Sequence, residues 1–133
     1  MKPDKYADFG LLLVRLSLGM VMVYHGSQKL FGVWDGKGLT ATLDGFQQGM
    51  GIPPWLGILA VIAEFFGGLG VALGLLTRLA GFGIAVTMAV AAWVHLSKGD
   101  EWSKVEFPLM LCILAIGIML VGAGNLAVEE MLK

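Results

Sequence analysis

Hydrophobic and polar positions divide the chain into four apolar runs, 9–31, 55–76, 79–96 and 107–122, separated by polar connections. About 20 apolar residues cross the ~30 Å hydrocarbon core of a bilayer as a helix. Lipid offers backbone groups no hydrogen-bond partners, so each run predicts a helix. The last two runs are short and predict spans that stand steeply or extend into the interface. Between the second and third runs lies little more than Thr77-Arg78, a tight turn that makes those helices antiparallel neighbours. SKGDEWSKVE joins the third to the fourth. The first connection, GVWDGKGLTATLDGFQQGMGIPP, is much longer. Within it Leu39, Leu43, Phe46 and Met50 recur at helical spacing, while Asp44, Gln47 and Gln48 fall away from them. That pattern predicts a short amphipathic helix in the membrane interface, closed by Gly51 and the Pro53-Pro54 pair. The expected fold is all-α: an integral membrane antiparallel four-helix bundle with an amphipathic interfacial helix in the first loop, forming one domain over residues 1–133.

Composition agrees with lipid as the solvent. Of 133 residues, 57% are hydrophobic and 14% charged, with a mean hydropathy of +0.81, too little polar surface for a water-soluble domain. A net charge of −1 and no basic stripe exclude nucleic acid as a partner. Cys112 has no second cysteine to pair with, and its apolar neighbours assign it to a packed or lipid-facing position. The opening MKPDKYADF mixes acids with bases, and the following run holds Arg15 with no small-residue cleavage site after it. The first span is therefore expected to remain in the protein.

Topology follows from the tryptophans. Trp34, Trp55, Trp93 and Trp102 each flank a span at the end that an antiparallel bundle brings to one face, as an interfacial aromatic belt requires. Both termini then lie on the opposite face. Lys2, Lys5, Arg78 and Lys133 on the terminal side slightly outnumber Lys37, Lys98 and Lys104 in the loops, which predicts cytoplasmic termini. Small residues predict how the spans meet. The second run holds Gly57, Ala60, Gly67, Gly68, Gly70 and Gly74, with Gly70 and Gly74 as a GxxxG pair, and the third offers Ala85, Ala89 and Ala92 at similar spacing. Such surfaces let helix backbones approach closely, so a tight bundle is expected and not a wide pore.

Against this apolar background, the polar residues inside the spans carry the information about function. Ionisable groups near the bilayer centre cost ~2.5–3.5 kcal/mol each and seldom stand without partners. At 100° per residue Arg15, Met22, His25, Gly26 and Lys29 share one arc of the first span. Glu64 shares its face with the small residues of the second. Placing both spans at one depth puts Glu64 between Arg15 and His25 and predicts an Arg15–Glu64 ion pair. A second polar group, Lys29, His95, Lys98 and Glu106, lies nearer the loop face. Its lysines fit snorkelling into headgroups; His95 and Glu106 have no such role.

Two readings of this seam follow. In one, Arg15, Glu64 and His25 only orient helices, in a membrane scaffold or small transporter or permeability protein. In the other, His25, Glu64, Arg15, Lys29, His95 and Glu106 bind an apolar ligand or relay protons, as titratable groups at such depth can. No CxxC, HExxH, P-loop or GxSxG is present, so no metal centre and no self-contained enzyme is expected. A haem held by His25 and His95 is disfavoured, since the two differ in depth and no CxxCH accompanies them. The glycines of GGLGVALG lie inside an apolar span and are packing residues.

RLSLGMVMVYHGSQKLFG, AEFFGGLGVALGLLTRLAG, VHLSKG, VEFPLML and GAGNLAVEE, in this order and spacing, resemble the DoxX family across nearly the whole chain. The polar residues named above, Arg15, His25, Lys29, Glu64, His95 and Glu106, are those the family pattern carries, along with Gly26, Gly67 and Gly68. The tail departs from it: where the family often has Arg, Ser and Asp after a glycine turn, this chain has Asn125, Ala127 and Glu129. The resemblance implies a four-span protein of the bacterial cytoplasmic (inner) membrane with a loose link to redox metabolism. It suggests a quinone as ligand, and at most a quinone-binding subunit of an oxidoreductase whose electrons come from a redox partner protein. The sequence leaves room for a homo-oligomer.

Overall fold

The computed structural model describes residues 4–133; Lys2, counted above among the terminal-side cations, lies outside them. The first helix, α1 (Lys5–Phe31), starts where the Asp4 carboxylate accepts from the Tyr6 and Ala7 amides, and ends at Gly32 in the left-handed conformation. At 1.5 Å per residue its 27 residues span ~40 Å, enough to cross the bilayer with a turn to spare. Beyond it the chain folds back, and Gln28 Nε2 donates to the Trp34 carbonyl at 3.0 Å.

The amphipathic segment is α2 (Gly38–Met50). Its apolar face rests on the start of α3 (Pro54–Leu73), where Leu43 and Phe46 come so close to Gly57 that a Cβ there would lie 2.8 Å from Leu43. It packs against α1 as well as α3. Gly74 ends α3 with φ +73°, so Gly74 is a helix terminator packed on Ala127 and the Arg15 guanidinium, and not half of a GxxxG contact between spans. The turn is accordingly Gly74–Leu76, and Thr77-Arg78 instead open α4 (Thr77–Ser97).

The fourth span, α5 (Trp102–Val121), begins five residues before the expected Phe107, within the polar connection. Interfacial Trp102 and Lys104 suit helix as well as loop, and Pro108 is tolerated inside it. The third and fourth spans thus reach 21 and 20 residues, full crossing length. A last short helix, α6 (Val128–Met131), follows the glycine turn.

Helix α1 lies along α3, α3 against α4, and α4 along α5, whereas α1 and α5 touch only lightly. All four tryptophans are exposed at the end of the bundle that carries the loops. The core consists of Leu18, Met22, Val71, Ile84, Ala85, Met88, Leu111, Cys112, Ala115 and Ile118, with the Cys112 thiol donating to the Ala85 carbonyl. Large apolar side chains such as Leu13, Met20, Phe66, Phe82, Ile113 and Leu120 point outward. In a water-soluble protein that surface would be a liability; in a chain with four apolar crossing helices it is the surface that meets the bilayer.

Glycines set the α1–α3 register. A Cβ on Gly68 would lie 2.9 Å from the Gly19 carbonyl, and one on Gly26 would lie 2.8 Å from the Phe65 Cα. The two backbones touch at these points. Gly67 faces the other way, onto Ile84 and the Ala80 carbonyl of α4, and Gly70 packs on Ala80.

Candidate functional site

That register decides the polar pairings. With Gly19 opposite Gly68 and Ala72, and Gly26 opposite Phe65, Glu64 is level with Ser27. Arg15 is therefore ~18 Å away along the axis, twelve residues at 1.5 Å each. The expected Arg15–Glu64 ion pair does not form, because the two spans are not centred at one depth.

Glu64 is paired with Lys29 instead. Lys29 Nζ lies 2.6 and 2.8 Å from the two carboxylate oxygens of Glu64, whose side chain is 4% exposed. Lys29 is thus no snorkelling residue: its stem turns into the bundle, since an unpaired buried carboxylate costs more than a lysine head taken partly out of water.

Arg15, 1% exposed, has a different set of partners. Its Nε donates to the Val71 carbonyl (3.0 Å) and Nη2 to that of Ala72 (3.1 Å), at the end of α3 where helix carbonyls lack intrahelical partners. Its Nη1 donates to Ala123 (2.9 Å) and Leu126 (2.8 Å) in the C-terminal turn. Asp8 accepts from both the amide and the side chain of Asn125, and the Glu129 amide donates to the Gly74 carbonyl. Arg15 therefore clasps the terminal end of the bundle and does not reach the polar groups near the loops.

Those groups do converge. A cleft of about 380 Å³ opens between α1 and α5, with α3 and α4 behind it. His25, Lys29, Glu64 and His95 line it, among apolar walls that include Met22, Met88 and Phe107. The His25 ring lies edge-on to Tyr24 and Phe107, with centroids 5.4 and 5.8 Å apart. Among the described residues it has no hydrogen-bond partner, although imidazole carries one donor and one acceptor. Glu106 is exposed on α5 and is not part of the cleft; Lys98 is exposed in the loop.

His95 brings in a residue that the sequence reading missed. Its Nδ1 lies 2.7 Å from Asp100 Oδ2, because a turn through Gly99, at φ +73°, carries Asp100 back over the end of α4. The hydrogen bond to His95 holds the Asp100 carboxyl, outside the spans, below the usual carboxylate range, helped by the nearby Lys104 and Lys98 charges. The only sequence signal was the His95–Asp100 spacing across a Lys-Gly pair. Among the described residues no group of three or more His, Cys, Asp or Glu is placed to hold a metal ion.

A mostly apolar cleft with a few converging polar groups has the usual character of a small-molecule site. The comparisons with known proteins bear on the same elements. The DoxX family model matches residues 10–96, the segment that contains Arg15, His25, Lys29, Glu64 and His95. The chain is 28% identical over 126 residues to a Bacillus subtilis (strain 168) protein named "Putative oxidoreductase CatD", covering 95% of this chain and 89% of that one. No solved structure matches it. With four apolar crossing helices and a family match over most of its length, this multi-span membrane protein belongs to the DoxX family.

Proposed function

We propose that this protein is the ligand-binding membrane subunit of a redox-linked system and takes a quinone-like ligand into the cleft between α1 and α5. The observation that carries this reading is His25: an imidazole within a membrane helix, on the wall of an apolar cleft, with no protein partner for its ring nitrogens among the described residues. His25 is half-buried on a helix that crosses the bilayer, where lipid offers its ring no hydrogen-bond partner, and a ligand carbonyl supplies one. Lys29 adds a further donor, since two of its three ammonium hydrogens suffice for Glu64. The ligand enters sideways from the lipid, where α1 and α5 barely touch. In this reading a partner protein delivers the electrons. The relative's name, an oxidoreductase, points the same way. In this reading the protein lies in the bacterial cytoplasmic membrane with both termini in the cytoplasm, since Lys2, Lys5, Arg78 and Lys133 on the terminal side outnumber Lys37, Lys98 and Lys104 in the loops.

One observation favours the scaffold reading for part of the seam. Arg15 spends its guanidinium on four carbonyls and is structural. A purely structural seam still leaves His25 without a task. The test is mass spectrometry of lipid extracts from protein purified in mild detergent, beside a folded His25→Ala variant. A quinone kept by the parent and lost by the variant supports the site; equal extracts from both reject it.

A further inference from the structure

His95 stands two residues from the end of α4, whereas His25 is six residues inside the end of α1. His95 is therefore the histidine of the cleft nearer the loop face. Its side chain is 36% accessible and that of Asp100 is 25% accessible, so the pair meets water on one side and the cleft on the other. An ionised carboxylate only accepts hydrogen bonds, so with Asp100 as its neighbour Nδ1 carries the hydrogen, and Nε2 remains for whatever occupies the cleft. Carboxylate–imidazole pairs of this kind fix the tautomer and the orientation of the ring.

We propose that the His95–Asp100 pair is the proton port of this cleft. It exchanges protons between a ligand oxygen and water on the loop face, with Asp100 as the positioning residue. This rests on the reading of the cleft as a quinone-type site. In the step itself, the Nε2–H bond of the His95 imidazolium breaks as an O–H bond forms on the ligand oxyanion, whose lone pair accepts the proton. The ring keeps the N–H electron pair and becomes neutral, with Nδ1–H still donated to Asp100; a proton from loop water then restores Nε2–H. The oxyanion arises when a protein electron donor reduces the quinone. The other charged or titratable groups around the ring are His25 and Lys29 from α1, Glu64 from α3, Lys104 from α5 and Lys98 in the loop. Of these, Glu64 is occupied by Lys29, and His25 lies deeper along its helix. His95 is the imidazole that borders both the cleft and loop water.

The experiment is nitrogen NMR of the full chain labelled at histidine, in detergent. The chain has two histidines, and His25→Ala assigns them. In the parent His95 is expected to show the Nδ1–H tautomer. Asp100→Asn is expected to lower its proton affinity roughly tenfold, the effect of losing one close opposite charge, while Asp100→Glu keeps most of it. A decyl-tailed benzoquinone and its quinol are the probes, and either is expected to shift the His95 Nε2 resonance. An Nε2–H tautomer in the parent, or Asp100→Asn titrating like the parent, overturns the port. If His25 responds to the probes and His95 does not, the site stands and the port falls. If neither ring responds, the ligand reading itself fails, and the port with it.

Discussion

Lys29 and Glu64 form a bidentate ion pair across α1 and α3, with Nζ 2.6 and 2.8 Å from the two carboxylate oxygens. The carboxylate is buried and the lysine is about one-third exposed, so the pair marks where the dry bundle gives way to the cleft. Among the described ion pairs Lys29 is the one partner of the Glu64 carboxylate.

Removing one member strands the other. Lys29→Met is expected to destabilise the bundle by about 3 kcal/mol, the low end for a buried pair because Lys29 is partly wet. Replacing both, as Lys29→Met with Glu64→Leu, is expected to recover most of that loss. Denaturant titration in detergent compares them, and a double variant no better than the single one would contradict the pairing.

Arg15 should not tolerate lysine. An ammonium cannot reproduce the planar fork that meets four carbonyls on two segments. Arg15→Lys is expected to cost about 2–3 kcal/mol and to expose the C-terminal turn to protease, with ligand retention in the cleft unchanged. Limited proteolysis beside lipid extraction reads both effects.

Gly68→Ala places a methyl 2.9 Å from the Gly19 carbonyl, and neither backbone can yield without parting α1 from α3. A loss of about 1–3 kcal/mol is expected. Gly117→Ala is the control: a Cβ there meets nothing within 4 Å, so helix propensity predicts no loss and a gain of up to ~1 kcal/mol. Equal melting shifts for the two would refute the close approach.

Acid should loosen the turn over α4. The Asp100 carboxyl is held below its ordinary 3.8 by the His95 hydrogen bond. Its contribution is therefore fully present above about pH 4 and is lost as pH falls through the lower folded value. Amide exchange at Gly99 and Asp100 should rise on acidification in the parent, and the step should be absent in Asp100→Asn.

Periodicity and composition alone placed the four spans, the amphipathic α2 and the tryptophan face, because lipid forces every crossing backbone into a helix and every apolar run into a span. They also named His25, Lys29, Glu64 and His95, since polar groups stand out in an apolar sequence. What they left open was pairing. Which cation meets Glu64 depends on the axial register of α1 on α3, and that register is set by Gly19, Gly26 and Gly68 touching backbone across the interface. Side-chain identity and helical angle say nothing about this offset, so Arg15 looked like the partner. Asp100 was hidden for a similar reason: only the turn through Gly99 returns it to His95. The sequence by itself determined the spans and the polar residues they carry; the tertiary structure decided which of those residues meet, because partnership depends on contacts between helices that no single helix encodes.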